Sequence, residues 1–186
     1  MGKPLRSTVL SPEARLAPFD PESKLLNAIV ETPKGSRNKY SFDPARGLYC
    51  LKSVLPEGDY FPYDFGFVPS TLADDGDPLD VLVLMDEPAA VGLLVPARLL
   101  GVIEATQQKA DKAPERNDRL IAIAAASRTH DGVERLKDLP EKCLDDIEQF
   151  FISYNAGMGK KFVVKRRRGR KHAAALVSAG ERRAMK

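Results

Sequence analysis

Apolar and polar residues alternate over residues 27–32 and 39–42, the period-two pattern of strands that cover one face. The stretch 33–38 between them carries Pro33 and Gly35, so the two runs read as a hairpin with a loose loop. Residues 48–54 continue as a third strand after the turn Asp43-Pro44-Ala45-Arg46-Gly47, and the aromatic-rich 60–68 adds an extended segment that stops at Pro69. Residues 80–85, 93–104 and 120–126 are apolar runs of strand character, the middle one interrupted only by Pro96 and Arg98. The polar stretch 105–119 reads as a surface loop. Beyond it the period changes. Leu144, Ile147, Phe151 and Tyr154 recur at helical spacing. Asp138 is the expected cap of that helix, Pro140 its opening and Glu141 the partner in a capping box, while Gly157 and Gly159 end it. A short strand over 161–165 and a last helix over 172–185 follow, and residues 1–22, with four prolines, read as an extended arm. Successive strands without β-α-β alternation favour a small closed barrel covered by helices: an α+β protein, mainly β.

At 186 residues the chain suits one domain, 1–186. Hydrophobic residues at 43% support a folded core rather than a disordered chain. No apolar run approaches the about 20 residues that span a bilayer, and residues 1–20 lack the apolar centre of a signal peptide, so the expectation is a cytoplasmic protein with no membrane segment. Cys50 and Cys143 have neither metal-ligand spacing nor a disulfide framework. Charge is unevenly distributed. Residues 160–186 hold 11 basic side chains and one acidic, whereas residues 1–159 hold 18 basic against 25 acidic. The acidic body suits a carboxylate-lined cation site. The basic C-terminal segment, 166–186, suits a solvated face or phosphate, and nucleic acid is not the expected partner because no aromatic residues interleave to stack on bases.

The candidate chemistry lies in Asp74-Asp75-Gly76-Asp77-Pro78-Leu79-Asp80, four carboxylates in seven residues, followed at once by the apolar Val81-Leu82-Val83-Leu84. Such a cluster repels itself unless cations sit among its oxygens, and an oxygen-only set suits a hard ion such as magnesium. Gly76 and Pro78 form a turn able to aim Asp75, Asp77 and Asp80 at one point; a solvated acidic turn is the alternative. An EF-hand is excluded, because its later ligands and closing Glu would fall where this chain runs apolar.

The run Asp75-Gly76-Asp77-Pro78-Leu79-Asp80-Val81 resembles the signature of the family I soluble, magnesium-dependent inorganic pyrophosphatases. Glu31-Thr32-Pro33, Lys39-Tyr40, Phe61-Pro62, Gly66-Phe67-Val68-Pro69-Ser70-Thr71-Leu72 and Phe150-Phe151-x-x-Tyr154 stand in that family's order, so the resemblance covers residues 24–164. It implies a five-stranded OB-type barrel flanked by helices, several Mg2+ ions per site, pyrophosphate or a small polyphosphate as substrate, and a homo-oligomer. By resemblance, Asp75 and Asp80 ligate cations, Glu31 supports the site as a further metal-site carboxylate, Asp77 contacts the attacking water, and Lys39, Lys52 and Tyr154 meet substrate phosphates. Several positions depart from the pattern. Lys52 replaces an Arg, Ser41 a Glu, Phe65 a substrate-contacting Tyr and Asn155 a Lys. Where the family has Asp-Glu after the long strand and then Asp-x-Lys, this chain has Gln107-Gln108 and Asn117-Asp118-Arg119, so Asn117 is the metal-ligand position most altered. Asp111 or Asp118 are candidate substitutes if the longer loop folds back. The reading is a pyrophosphate hydrolase; the alternatives are a catalytically impaired relative that binds phosphate compounds or a partner, and an OB-type nucleic-acid binder.

Overall fold

The computed structural model describes residues 16–186; most of the expected N-terminal arm lies outside the described residues. The elements in order are β1 (Leu26–Thr32), β2 (Asn38–Asp43), β3 (Leu48–Val54), β4 (Asp64–Phe67), β5 (Asp80–Leu84), β6 (Leu94–Lys109), β7 (Glu115–Arg116), β8 (Arg119–Ala124), α1 (Glu141–Gly157), β9 (Lys160–Gly169) and α2 (Arg170–Ala184). Strands β1, β4, β5, β8 and β6 pair in that order, and β6 pairs back on β1, so five strands close a ring. The β5–β8 pair is parallel, with Val81 opposite Leu120, and the other ring pairs are antiparallel. The ring is the expected five-stranded OB-type architecture. Its members differ from a simple series of hairpins, because β2 and β3 form a separate two-stranded sheet beside it.

Both faces of the ring strands are covered, which is why β5 and β8 read as unbroken apolar runs rather than alternating ones. Alternate residues Val81, Val83, Leu120 and Ala122 join Leu26, Ala28 and Val30 in one cluster that Ala173 and Val177 of α2 complete. The residues between them, Leu82, Leu84, Ile121 and Ile123, face a second cluster with Leu144, Ile147 and Phe151 of α1. Pairing within the ring and of β9 onto it demands tight backbone approach. At Gly66 of β4 a Cβ would lie 1.9 Å from the carbonyl oxygen of Ile29, and at Gly101 of β6 it would lie 2.3 Å from that of Arg168, so neither place accepts a side chain.

Three expectations are corrected. Residues 105–109 are not loop but the end of β6, because Thr106, Gln107, Gln108 and Lys109 pair with Val163, Phe162, Lys161 and Lys160 of β9, and Thr106 and Gln107 with Arg116 and Glu115 of β7. Backbone pairing sets this strand, and it needs no apolar side chains. The strand expected over 161–165 runs from Lys160 to Gly169 and takes in much of the basic run. Its charges are used internally: Arg167 reaches Glu141, Asp145 and Glu148 of α1, while Arg166 reaches the buried Glu104, which His172 of α2 also contacts. Asp138 does not cap α1. It lies in a 3-10 turn at Leu136–Asp138, accepting the N–H groups of Glu134 and Arg135, and α1 starts behind Pro140 without a side-chain cap.

Candidate active site

The acidic turn enters the ring at the first residue of β5. Ala73 donates its N–H to the Asp77 carbonyl at 2.7 Å, Gly76 takes a positive φ of 89° that suits a residue without Cβ, and the Asp77 N–H reaches Asp75 Oδ1 at 3.2 Å. Thr71 locks the base of the turn, accepting the Leu79 N–H and donating to the Val68 carbonyl. The end of α2 holds it from outside, through Arg183 to the Leu72 carbonyl and the Asp74 carboxylate. Asp75 and Asp77 are exposed and Asp80 is half-buried. Burial raises the carboxyls of Asp75 and Asp80 above their usual range, and the like charge of Asp77 pushes both the same way.

Positive side chains face these carboxylates across an aromatic floor. Arg119, first in β8 and 4% exposed, places Nη1 2.7 Å from Asp80 Oδ2, with its guanidinium 4.7 Å from the Phe151 ring centroid and 5.5 Å from that of Phe162. Lys39 of β2 holds Nζ 4.3 Å above the Phe65 ring. Burial lowers the Lys39 pKa, while Asp80 and Glu31 act to keep it charged. Glu31 is buried on β1, accepts the Phe42 N–H at 2.7 Å, and is raised by burial against the opposing charge of Lys39. Tyr154 of α1 stacks on Phe150, and burial raises its phenol pKa, so it is an O–H donor at neutral pH.

The sequence profile of the inorganic pyrophosphatase family matches residues 28–185. An inorganic pyrophosphatase of Synechocystis is 39% identical over 137 residues, 74% of this chain and 78% of that protein, and one of Halalkalibacterium halodurans is 36% identical over 156 residues, 84% and 93%. The crystal structure of inorganic pyrophosphatase from Thermus thermophilus superposes with a TM-score of 0.83 at 35% identity, covering 93% of this chain and 98% of that one. The chain belongs to the inorganic pyrophosphatase family. This accounts for the neighbourhood of carboxylates, cations and rings around one mouth, assembled from β1, β2, β4, β5, β8 and α1.

Within this family member, Asp75, Asp77, Asp80, Glu31, Lys39 and Asn117 come together, and the site residues fare differently around that group. The carboxylates do not converge on one point: Asp75 is turned to Asn117 and Asp80 to Arg119, and no three of His, Cys, Asp or Glu are gathered into one ligand set among the described residues. Their donor chemistry nonetheless fits a hard divalent cation, since both offer carboxylate oxygens and Asp75 is raised by burial and by the negative charge of Asp80 and Asp77. Phe65 is buried beneath Lys39, without a hydroxyl to reach substrate. Lys52 is exposed on β3 at the rim. Asn155 points inward, its Nδ2 donating to the Phe151 carbonyl at 2.8 Å. The Asp118 carboxylate accepts the Ala105 N–H and pairs with Arg116 at 2.6 Å, and Asp111 sits in the β6–β7 turn with φ 60°. Two cations went unassigned in the sequence. Arg119 stands at the Lys position of the Asp-x-Lys pattern, which was the available signal. Lys160 offered none: it shares a strand face with Phe162, and its pKa is lowered by burial and by Lys109, Arg119 and Lys52.

Proposed function

We propose that the chain hydrolyses inorganic pyrophosphate to two phosphates using divalent metal ions, Mg2+ foremost. The observation that carries this is the acidic turn Asp75, Asp77 and Asp80 facing Lys39 and Arg119 across one mouth in a chain of this family. Cations held by Asp75 and Asp80 would lower the pKa of water and neutralise phosphoryl oxygens. The chain's own residues do the rest. Asp77, exposed at the mouth, positions the attacking water and accepts its proton. Lys39, kept upright by Phe65, and Arg119 stabilise negative charge spread over the transferring phosphoryl group, and Lys52 and Lys160 draw the substrate to the rim. Tyr154 donates its hydroxyl to a phosphate oxygen, and Glu31 supports the charge of Lys39. Phe65 acts as a positioning ring rather than a substrate ligand.

Release of phosphate from pyrophosphate with Mg2+, measured colorimetrically on the purified chain and lost on adding EDTA, tests the reading; release at the buffer blank would sink it. The amides Gln107 and Asn117 favour one second reading, a phosphate-binding relative that turns over little, for which tight pyrophosphate binding without release is the sign. We place the protein in the cytoplasm as a homo-oligomer. Among the described residues no helix is long and apolar enough to cross a membrane. Leu51 and Val54 on the β2–β3 hairpin are 57% and 55% exposed, which supports a covered face in an assembly that sizing chromatography would test.

A further inference from the structure

Asp74 is the carboxylate of the acidic turn to which the proposed reaction gives no part. Its Oδ1 lies 3.1 Å from Nη1 of Arg183, in the last turn of α2, while Arg183 Nε donates to the Leu72 carbonyl at 2.8 Å. Leu72 is held at its other end too, since its N–H donates to the Gly180 carbonyl at 3.1 Å. A rigid guanidinium fork holds a carbonyl and a carboxylate in fixed relation, which the point charge of an ammonium does not. The helix also lies close. A Cβ at Gly180 would fall 2.9 Å from Leu79 Cδ1 and 3.2 Å from Thr71 Cβ, so α2 abuts both ends of the segment 71–79. Between turn and helix remains a cleft of about 30 Å3 lined by Asp75, Asn117, Leu176 and Arg183, so packing alone does not fix the carboxylates on this side. The turn itself is cross-linked into one unit by the Ala73 N–H on the Asp77 carbonyl and the Asp77 N–H on Asp75 Oδ1. Asp80 is placed differently. Its backbone pairs with Phe67 of β4 and its carboxylate with Arg119, and neither contact involves α2.

We infer that Arg183 is a positioning residue: its link to Asp74 and Leu72 sets where Asp75 and Asp77 stand relative to Asp80, so that the end of α2, which touches no substrate, governs turnover. The kinetic part of this inference rests on the pyrophosphatase reading; the clamp itself does not. A pure charge effect would look different. Removing Arg183 leaves more negative charge beside the turn and neutralising Asp74 leaves less, so charge alone moves turnover and cation affinity in opposite directions in the two variants. Breaking a clamp is the same event from either end, and both variants then lose turnover. A half-exposed ion pair that served only stability would change little of either.

Arg183→Gln, Asp74→Asn and the double change are compared with wild type in the full-length chain. At saturating Mg2+ each single variant is expected to lose about tenfold or more in kcat with KM for pyrophosphate within about twofold, because the water-positioning carboxylate is displaced and the cations that meet the phosphates are not. The double variant is expected to lose no more than the worse single variant, the mark of one shared link. Arg183→Lys should recover part of the loss. Hydrogen exchange read by mass spectrometry, without metal or substrate, is expected to speed up over residues 72–79 in Arg183→Gln and to stay unchanged over 81–84. Losses that add in the double variant, kcat moving in opposite directions in the two single variants, or kcat within about twofold of wild type in both overturn the proposal, and so does exchange over 72–79 superimposable on wild type. Asp74→Asn reads the same link by the same two measurements if Arg183→Gln fails to fold. A wild type that releases no phosphate counts against the pyrophosphatase reading, and the exchange measurement then still decides whether the clamp exists.

Discussion

Replacing Phe151 by Ala tests whether the aromatic floor is what fixes the cationic side of the site. Phe151 is 2% exposed on α1, with ring centroids of Phe150, Phe162 and Phe65 at 5.1, 5.7 and 6.0 Å and the Arg119 guanidinium at 4.7 Å. Truncating a buried Phe removes its transfer energy and leaves a cavity, together about 3–5 kcal/mol. Loss of the cation–π contact is part of that figure, worth about 0.5–2 kcal/mol where the cation is desolvated. For a chain of this length each 1 kcal/mol moves the melting temperature by about 2–4 °C, so a fall of about 6–20 °C is expected. Phe151→Leu keeps most of the volume but offers Arg119 no ring face. It should cost less than the Ala change, about 1–3 kcal/mol in stability, the lost cation–π contact included. Its phosphate release should nevertheless fall clearly below wild type, because Arg119 would no longer be held against Asp80. Urea unfolding followed by circular dichroism, alongside the phosphate assay, reads both quantities. An Ala variant within about 1 kcal/mol of wild type would refute the packing argument, and a Leu variant with full turnover would show that Arg119 needs no ring beneath it.

Asp77→Asn should reduce phosphate release at least about a hundredfold without moving the melt, since an amide can hold the water but not accept its proton; activity within about twofold of wild type would remove Asp77 from that role. Arg167→Ala severs contacts to Glu141, Asp145 and Glu148 that tie β9 to α1, and should cost about 1–3 kcal/mol in urea unfolding, with an unchanged midpoint counting against a structural basic run. Asp64 is 1% exposed, its Oδ1 accepts the Ala89 and Lys34 N–H groups, its Oδ2 has no hydrogen-bond partner among the described residues, and burial raises its pKa above 3.8. A raised folded pKa means that stabilisation by protonation is complete below pH 3.8 and is lost as pH rises through the folded value. Asp64→Asn should therefore melt above wild type at pH 7 and converge with it in acid; the same gap at both pH values would contradict this.

The acidic turn, the apolar β5 and β8 and the stripe of α1 were legible along the chain because each depends on neighbours within a few residues: turn chemistry, strand patterning, and Leu144, Ile147 and Phe151 returning to one helix face. The motif Asp75-Gly76-Asp77-Pro78-Leu79-Asp80 likewise identified the mouth of the site, since its crowded charge is visible without a fold. Residues 105–109 were not legible as strand, because polar side chains hide a pairing made by the backbone with β9, more than fifty residues on. The basic run near the C-terminus looked like a free charge because its carboxylate partners Glu104, Glu141 and Glu148 are distant in sequence. Arg119 shows the same limit within the site. Its letter marks a cation at the start of a strand, but only the folded ring sets that cation against Asp80, the Asn117 amide and the face of Phe151 at once. Local sequence determined which groups the site owns, and tertiary closure decided which of them meet, because interactions across a ring depend on register and packing that no short window of residues encodes.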